Sequence, residues 1–163
     1  MLVGMMGSGK THVGKQLAAR LGVGFVDSDE QIERRHGRTV RQIFEAEGEA
    51  VFRRLETEAL VAAVESTERS VIAAAGGVVL DARNRELLRR AGTVVWLRAR
   101  PEVLAARVRP GDHRPLLGDD ALGALQRLDA ERAPLYGEVA SAVVDVGDLS
   151  PEEAATRIAE LVA

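Results

Sequence analysis

A short segment near the amino terminus has the pattern of a phosphate-binding loop. Residues 4–11 read Gly-Met-Met-Gly-Ser-Gly-Lys-Thr and fit G-x-x-x-x-G-K-[ST] at each fixed position. Glycine lets backbone amides point at phosphate oxygens, and the helix that Thr11 opens adds its positive dipole end and a hydroxyl for Mg²⁺. Lys10 adds a mobile charge and is one of two lysines, with Lys15, among 22 cationic residues. The pattern predicts a nucleoside triphosphate site; the alternative is a glycine turn before an ordinary helix.

Two carboxylates follow the second predicted strand, in the segment Val26-Asp27-Ser28-Asp29. The carboxyl edge of an open α/β sheet is where ligands bind, and the phosphate-binding loop lies at the same edge. In an extended segment the Cα atoms of Asp27 and Asp29 are about 7 Å apart, with both side chains on one side. One carboxylate is then expected to face a metal ion and the other an acceptor. The alternative is that Asp29 only caps the next helix.

Two arginines have the context of a carboxylate-binding pair. Arg53 lies beside the apolar side of its predicted helix, while Arg54 is expected to point toward solvent. Arg132 comes just before Pro134 interrupts a predicted helix end. Two guanidinium groups can hold one carboxylate by paired N–H bonds, although a single arginine is more often a surface ion-pair residue. Gly76-Gly77 allows close backbone approach after the third predicted strand, or forms only a turn.

Short apolar runs alternate with helical patterns along the chain, which predicts βαβ units and a parallel sheet with helices on both faces. The predicted strands span residues 1–4, 24–27, 70–74, 93–97 and 141–146. The predicted helices span residues 10–21, 29–36, 40–47, 49–65, 82–90, 101–108, 121–136 and 151–162. Residues 109–120 show neither the helical nor the strand periodicity of apolar residues. They are interpreted as a movable loop or, alternatively, a surface linker.

Composition narrows the classes of protein. The chain of 163 residues is 46% hydrophobic, which fits one domain with one substantial core. A net charge of -3 gives no overall attraction to nucleic acids or anionic membranes, and 3% aromatic content offers little base stacking. Trp96 and Tyr136 are interpreted as packing residues. Without cysteine, a basic leader or an apolar run of about 20 residues, we expect a cytoplasmic protein.

Taken together, these motifs resemble the shikimate kinase family over nearly the whole chain. The resemblance is carried by the phosphate-binding loop at 4–11, Val26-Asp27-Ser28-Asp29, Phe52-Arg53-Arg54-Leu55-Glu56, Gly76-Gly77, Arg114-Pro115-Leu116-Leu117 and Arg132-Ala133-Pro134-Leu135-Tyr136. It implies a three-layer α/β/α P-loop kinase fold, similar to nucleoside monophosphate kinases, with a five-stranded parallel sheet in the order 2-3-1-4-5. It also implies a single domain, a helical substrate-binding region at about 29–66 and a mobile lid at about 109–120.

The resemblance further implies ATP-dependent phosphorylation of the 3-hydroxyl of shikimate, with Mg²⁺, in the route to chorismate and the aromatic amino acids. A monomer is implied as well, with no nucleic-acid or membrane partner. By this likeness the nucleotide contacts are Gly7, Ser8, Gly9, Lys10, Thr11, His12, Arg107 and Arg114. The shikimate contacts are Asp29, Arg53, Gly76, Gly77 and Arg132, the metal contacts are Thr11 and Asp27, and the catalytic residues are Lys10, Asp29 and Arg114.

The chain departs from the family pattern at three places. Fewer residues precede the phosphate-binding loop, so the first predicted strand is short. His12 stands where the family commonly has a small hydroxyl residue, and Ala75 replaces the first glycine of a Gly-Gly-Gly run. We expect tolerance at His12, because Thr11 supplies the metal contact, and a tighter turn at Ala75.

Two other functions remain open from the residues. A related small-molecule kinase could act on gluconate or on a nucleoside monophosphate. A carboxylate-bearing polyol suits Asp29 with two arginines, whereas a nucleotide acceptor needs a base pocket and phosphate contacts. A non-catalytic nucleotide-binding regulator is the third interpretation, and it requires no acceptor site.

Overall fold

The computed structural model describes residues 1–108, 116–118 and 120–162. Five parallel strands form one sheet in the order β2-β3-β1-β4-β5. The strands are β1 Leu2–Val3, β2 Gly24–Asp27, β3 Ser70–Ala73, β4 Val95–Arg98 and β5 Ala142–Asp145. The predicted sheet order is confirmed, and helices cover both faces in a three-layer α/β/α arrangement.

The helices are α1 Lys10–Leu21, α2 Ser28–His36, α3 Val40–Val64, α4 Ala82–Arg90, α5 Pro101–Arg107, α6 Ala121–Val139 and α7 Pro151–Val162. A short 3-10 helix, Val78–Leu80, was not predicted. Gly48 has φ 83° and ψ 173°, which interrupts the helical conformation of α3 where the sequence predicts a break. The predicted bounds of α1, α4 and α7 are confirmed.

Local capping explains where several helices begin and end. Gly22 ends α1 with φ 64°, a left-handed conformation that glycine adopts without steric cost. Before α7 the Ser150 hydroxyl accepts from the Glu153 amide at 3.2 Å, while the Glu153 carboxylate accepts from the Ser150 amide at 2.8 Å. This reciprocal pair is the predicted capping box.

The short first strand is nevertheless central to the core. Leu2 and Val3 are buried, and Leu2 pairs with Ala73 on one side and Val95 on the other. The main apolar cluster surrounds this strand between the helix layers. A second cluster lies within α2 and α3 and consists of Ile32, Ile43, Phe52, Leu55 and Ala59. The helical region after β2 therefore has an apolar core of its own beside the sheet.

Two local predictions are wrong. Asp29 does not continue an extended segment, because α2 begins at Ser28 and Asp29 lies in its first turn. The helix containing Arg132 does not end near Pro134 but runs to Val139. A proline removes one backbone donor, and here the helix continues past that gap.

Within the described part of the chain, no helix is both long and apolar enough to cross a membrane.

Candidate active site

The phosphate-binding loop joins β1 to α1 and depends on its glycines. Gly7 and Gly9 have φ 80° and 86°, in the left-handed region that other residues rarely adopt, and Gly9 precedes the first residue of α1. The Lys10 ammonium donates to the carbonyl oxygens of Gly4 at 2.8 Å and Met5 at 3.1 Å. The loop thus folds around the Lys10 side chain, and its backbone amides and ammonium group together suit a polyanion.

Thr11 and Asp27 form a preorganised pair of hard oxygen atoms. The Thr11 hydroxyl donates to Asp27 Oδ2 at 2.6 Å. The other oxygen, Oδ1, accepts the amide of Asp29 at 3.0 Å and that of Glu30 at 3.4 Å. Asp27 is therefore the residue that caps α2. The alternative interpretation, in which Asp29 caps this helix, is wrong. Hydroxyl and carboxylate oxygens are the ligands that Mg²⁺ prefers.

A cleft of about 560 Å³ opens beside this pair and is called the loop cleft here. Its lining includes Gly7, Gly9, Lys10, Thr11, His12, Asp27, Asp29, Ala75, Arg107 and Pro151. The buried Ser8 side chain has no hydrogen-bond partner among the described residues. At the far end, Arg107 donates to the carbonyls of Val146 at 2.7 Å and Gly147 at 2.9 Å. Arg107 thereby fixes the segment between β5 and α7 against the cleft.

A second cleft, of about 710 Å³, is called the arginine cleft here. Its lining includes Lys10, Asp29, Glu33, Phe44, Phe52, Arg53, Glu56, Gly76, Gly77, Leu116 and Arg132. The two arginines come from α3 and α6, far apart in sequence, and both line this cleft, with Arg132 beside Gly76 and Arg53 beside Gly77. Met6, Lys10 and Asp29 line both clefts, so the clefts adjoin at these three residues, of which Lys10 and Asp29 are charged.

Arg53 is held by two carboxylates of its own helix. Its Nη1 lies 2.6 Å from Glu56 Oε2, and its Nη2 lies 2.9 Å from Glu49 Oε1. The Arg53 side chain is 20% exposed and that of Arg54 68%, so the predicted difference between the two arginines is confirmed. Glu56 is only 3% exposed; burial raises the pKa of its carboxyl, and Arg53 opposes that rise.

Arg132 is 2% exposed and reaches the arginine cleft from inside the protein. Its Nε atom has no hydrogen-bond partner among the described residues and lies 3.8 Å from Glu131 Oε2. A buried cationic donor in this state is costly unless something binds it. The geometry suits an anionic ligand.

The two departures within the site are accommodated. No residue other than glycine has positive φ in the described chain, so Ala75 adopts a conformation open to any residue. Its amide-side neighbour Ala74 bonds to Leu2, and its carbonyl accepts from Val78 at 3.2 Å. His12 is exposed on the first turn of α1, so its larger side chain is accommodated at the surface.

Arg114, assigned to the nucleotide and to catalysis, lies outside the described residues, as do His113 and most of the predicted lid. The structure does describe Leu116 and Leu117, which belong to the same motif as Arg114. Leu116 lines the arginine cleft and Leu117 is buried. The carboxyl-terminal part of the motif thus touches the site.

Two side chains around the site, Glu56 and Glu33, have no role predicted from the sequence, and a third, Tyr136, has a contact beyond its predicted packing role. Glu56 pairs with Arg53, and its spacing of three residues on a helix is the signal that could have found it. Glu33 accepts the amide of Val40 at 2.9 Å and ties α2 to α3 at the rim of the arginine cleft. Tyr136 packs against Trp96 as expected, but its hydroxyl also donates to the Gly76 carbonyl at 2.6 Å.

No cluster of three or more His, Asp or Glu side chains suited to a metal ion occurs among the described residues. The pair of Thr11 and Asp27 has the form of a site completed by a ligand's own oxygens, because Mg²⁺ is usually held by one or two protein groups together with phosphates and water.

Comparison with known proteins gives consistent similarities. The family model described as "Shikimate kinase" matches residues 6–163. A curated shikimate kinase from Symbiobacterium thermophilum is 50% identical, with 98% of this chain and 93% of that protein covered. One from Methylococcus capsulatus is 46% identical, with 96% and 88% covered.

Solved structures agree with the sequence comparison. The shikimate kinase from Acinetobacter baumannii in complex with shikimate has a TM-score of 0.93 and 40% identity, with 99% of this chain and 90% of that chain covered. The shikimate kinase from Bacteroides thetaiotaomicron has a TM-score of 0.89 and 36% identity, with 98% and 95% covered.

Proposed function

This chain belongs to the shikimate kinase family and phosphorylates the 3-hydroxyl of shikimate with ATP, and we propose that its two clefts divide that work. The loop cleft binds ATP, and the arginine cleft binds shikimate. The reaction lies on the route to chorismate and the aromatic amino acids.

The single observation that carries this division is the junction of the clefts. Lys10 and Asp29 line both of them, and they are the charged groups that a transfer between two bound molecules needs at its centre. An ammonium group stabilises the charge on the moving phosphoryl group, and a carboxylate orients the acceptor hydroxyl. A phosphoryl group can therefore pass from one cleft to the other without leaving the protein.

On the ATP side, the amides of Gly7, Ser8 and Gly9 and the ammonium of Lys10 bind the phosphates. Two observations support this role: Gly7 and Gly9 have left-handed backbone conformations, and the Lys10 ammonium group donates to the Gly4 carbonyl within the loop. His12 and Arg107 also line the loop cleft, and in this proposal they contact the rest of the nucleotide. The glycine-rich turn and the start of α1 together offer amides and a positive dipole end to the triphosphate.

Thr11 and Asp27 hold Mg²⁺ in this proposal. Their hydroxyl and carboxylate oxygens are 2.6 Å apart, and both atoms are hard ligands, so the donor set fits the ion. When bound, Mg²⁺ neutralises charge on the phosphates of ATP. Asp27 keeps its second oxygen on the amides of α2, which fixes the orientation of the carboxylate.

On the acceptor side, Arg53 and Arg132 bind the shikimate carboxylate, while Gly76 and Gly77 allow the ring to approach the backbone. The unpartnered Nε of Arg132 and its deep burial support this assignment. Paired guanidinium groups bind a carboxylate more tightly and more specifically than a single ammonium group.

The chemical step forms one bond and breaks another. The oxygen of the 3-hydroxyl bonds to the γ-phosphorus of ATP, the bond from that phosphorus to the bridging oxygen of ADP breaks, and the hydroxyl proton passes to Asp29. The lid at about 109–120, with Arg114, closes over the transferring group. Closure excludes water, which would otherwise compete with the acceptor.

We propose further that the protein is a cytoplasmic monomer built as one domain, with the helical region at about 29–66 binding shikimate. Residues of a single chain line both clefts, so the proposed site requires no residue from a second copy. Size-exclusion chromatography with light scattering measures the oligomeric state directly.

The activity assay measures ADP release with ATP and Mg²⁺ while shikimate, gluconate and nucleoside monophosphates are offered in turn. We expect turnover with shikimate alone, loss of turnover on chelation of Mg²⁺, and no turnover in Lys10→Ala. Lys15→Ala is the matched control, because Lys15 lies on the same helix, is exposed and pairs with Glu30 at 3.3 Å. Turnover with gluconate or a nucleotide but not shikimate would refute the proposal.

A further inference from the structure

A buried phenol lies behind the two glycines of the arginine cleft. Tyr136 is on α6 and has no exposed surface. Its hydroxyl donates to the Gly76 carbonyl at 2.6 Å, across 60 positions of sequence, and lies 3.8 Å from the sulfur of Met5 in the phosphate-binding loop. One oxygen atom thus meets the loop after β3 and the loop after β1.

The hydrogen bond to Gly76 is short, and its donor stays protonated. Burial raises the pKa of the Tyr136 hydroxyl, with Arg132 opposing the rise, so the hydroxyl remains a protonated donor at physiological pH. A short O–H to carbonyl bond in a buried site is costly to break, because the carbonyl is left without a partner.

The same phenol oxygen adjoins Arg132, one turn earlier on α6. A Cβ on Gly76 would lie 3.7 Å from the Tyr136 hydroxyl and 3.8 Å from Arg132 Nη1. Gly76 therefore has the phenol and a guanidinium group as close neighbours. Any movement of the tyrosine hydroxyl acts on both the glycine loop and the arginine.

Holding the Gly76 carbonyl also sets the direction of the next amide. The described chain contains no cis peptide bond, so the Gly77 N–H points opposite to the Gly76 carbonyl and away from Tyr136. Glycine allows wide backbone rotation, so this peptide needs an external restraint. Arg53 lies directly against Gly77, which means that rotation there also displaces Arg53.

We propose that Tyr136 is a positioning residue for the acceptor: its hydroxyl fixes the Gly76-Gly77 peptide beside Arg132, so that the arginine cleft is formed before a ring carboxylate enters. This inference rests on the proposed function, since it takes the arginine cleft as the shikimate site. It adds a residue that does not line either cleft, and that acts through the glycine loop and Arg132.

The decisive variant is Tyr136→Phe, which keeps the ring against Trp96 and removes only the hydroxyl. We expect the KM for shikimate to rise about fivefold, as the loss of one net hydrogen bond would give, with the KM for ATP within about twofold of wild type. A purely structural role would change stability without this split between the two KM values.

Val139→Ala is the matched control, because Val139 is buried on α6 three positions beyond Tyr136 and has no polar group to offer Gly76. We expect a lower Tm with an unchanged KM for shikimate. A similar rise in the shikimate KM in both variants, equal rises in both KM values for Tyr136→Phe, or no rise at all would overturn the proposal.

A second measurement needs no variant. Tyr136 is the only tyrosine of the chain, so incorporation of 3-fluorotyrosine places one fluorine-19 label at this site. We expect its resonance to shift saturably with shikimate; absence of a shift at saturating shikimate would overturn the positioning role. Wild-type turnover is measured first, because its absence with shikimate refutes the proposed function, whereas normal turnover with a silent label refutes only the role of Tyr136.

Discussion

The Nη1 atom of Arg53 occupies the space in which a Cβ on Gly77 would stand. Gly77 has φ −85° and ψ −6°, a conformation that any residue can adopt. The glycine is therefore required for room and not for backbone freedom. A side chain at this position would push the guanidinium group out of the arginine cleft and away from Glu56.

Replacement of Gly77 by alanine tests this relationship. The added methyl group cannot coexist with Arg53 in its present position, and Glu56 Oε2 would also lie only 3.0 Å from it. We expect Gly77→Ala to raise the KM for shikimate by about tenfold or more, equivalent to about 1.4 kcal/mol, with little change in the KM for ATP. Steady-state kinetics with each substrate varied in turn measures both values.

Gly137→Ala serves as the control for that substitution. Gly137 is exposed on α6, and the nearest atom to an added Cβ belongs to Trp96 at 4.0 Å. Glycine inside a helix costs roughly 0.5–1 kcal/mol relative to alanine, so the control is expected to gain stability and keep its activity. Equal losses of shikimate affinity in the two variants would contradict the steric argument.

Arg53 and Arg54 give a comparison between neighbours. Arg53 lines the arginine cleft, whereas Arg54 is mostly exposed and its Nε lies 3.6 Å from Glu58. We expect Arg53→Ala to raise the shikimate KM by about 100-fold. The substitution removes one of two carboxylate-binding groups and leaves the buried Glu56 carboxyl without its ion-pair partner. Arg54→Ala is expected to stay within about twofold of wild type, as for a surface ion pair. Comparable losses would mean that Arg53 does not bind the acceptor.

The sequence predicts this fold well where the signals are local. The bounds of α7 follow from Ser150 and Glu153, which satisfy each other three residues apart, and the end of α1 follows from Gly22. The break at Gly48 is likewise predictable from a single glycine in a helical pattern. Each of these features depends on chemistry within one turn of chain.

Roles that depend on distant partners are harder to predict. Asp27 and Asp29 have the same chemistry, and only the start of α2 at Ser28 decides that Asp27 is the cap while Asp29 lies in the helix. Tyr136 has the pattern of a packing residue, because its polar partner Gly76 is 60 positions away. The spacing of residues in the sequence identifies the motif, whereas the hydrogen-bond partners of its side chains depend on the tertiary structure.

Glu56 predicts a specific pH dependence of stability. Burial raises the pKa of this carboxyl above its ordinary value of 4.5, so the folded protein holds the proton more tightly than the unfolded chain. The contribution of Glu56 to the free energy of unfolding is then fully present below pH 4.5 and declines as the pH rises through the folded pKa. Glu56→Gln has no such titration.

The measurement is the urea-induced unfolding of wild type and Glu56→Gln at pH values from 4.5 to neutrality. We expect the stability of the variant relative to wild type to increase as the pH rises above 4.5 and to level off above the folded pKa of Glu56. A relative stability that decreases with rising pH would show that the ion pair with Arg53 outweighs burial, so that the folded pKa is lowered.

Asp29 is the last group to test, because it lines both clefts and is the proposed proton acceptor. Asp29→Asn keeps the size of the side chain and leaves Asp27 to cap α2. We expect kcat to fall by about 10²- to 10⁴-fold, the usual contribution of a general base, with little change in the KM for ATP. Single-turnover measurements with preformed enzyme and both substrates separate this chemical step from product release.

Glu30→Gln is the matched control for that variant, since Glu30 follows Asp29 in the same helical turn but lines neither cleft, and its carboxylate pairs with Lys15 at 3.3 Å. Both substitutions remove one negative charge from the start of α2, so they weaken the favourable interaction with the helix dipole to a similar degree. A fall in kcat confined to Asp29→Asn therefore reports on the acceptor hydroxyl and not on the helix. If Glu30→Gln lost as much, or if Asp29→Asn kept most of its kcat, the proton would have to leave the hydroxyl by another route, and the role of Asp29 would be limited to binding the ring.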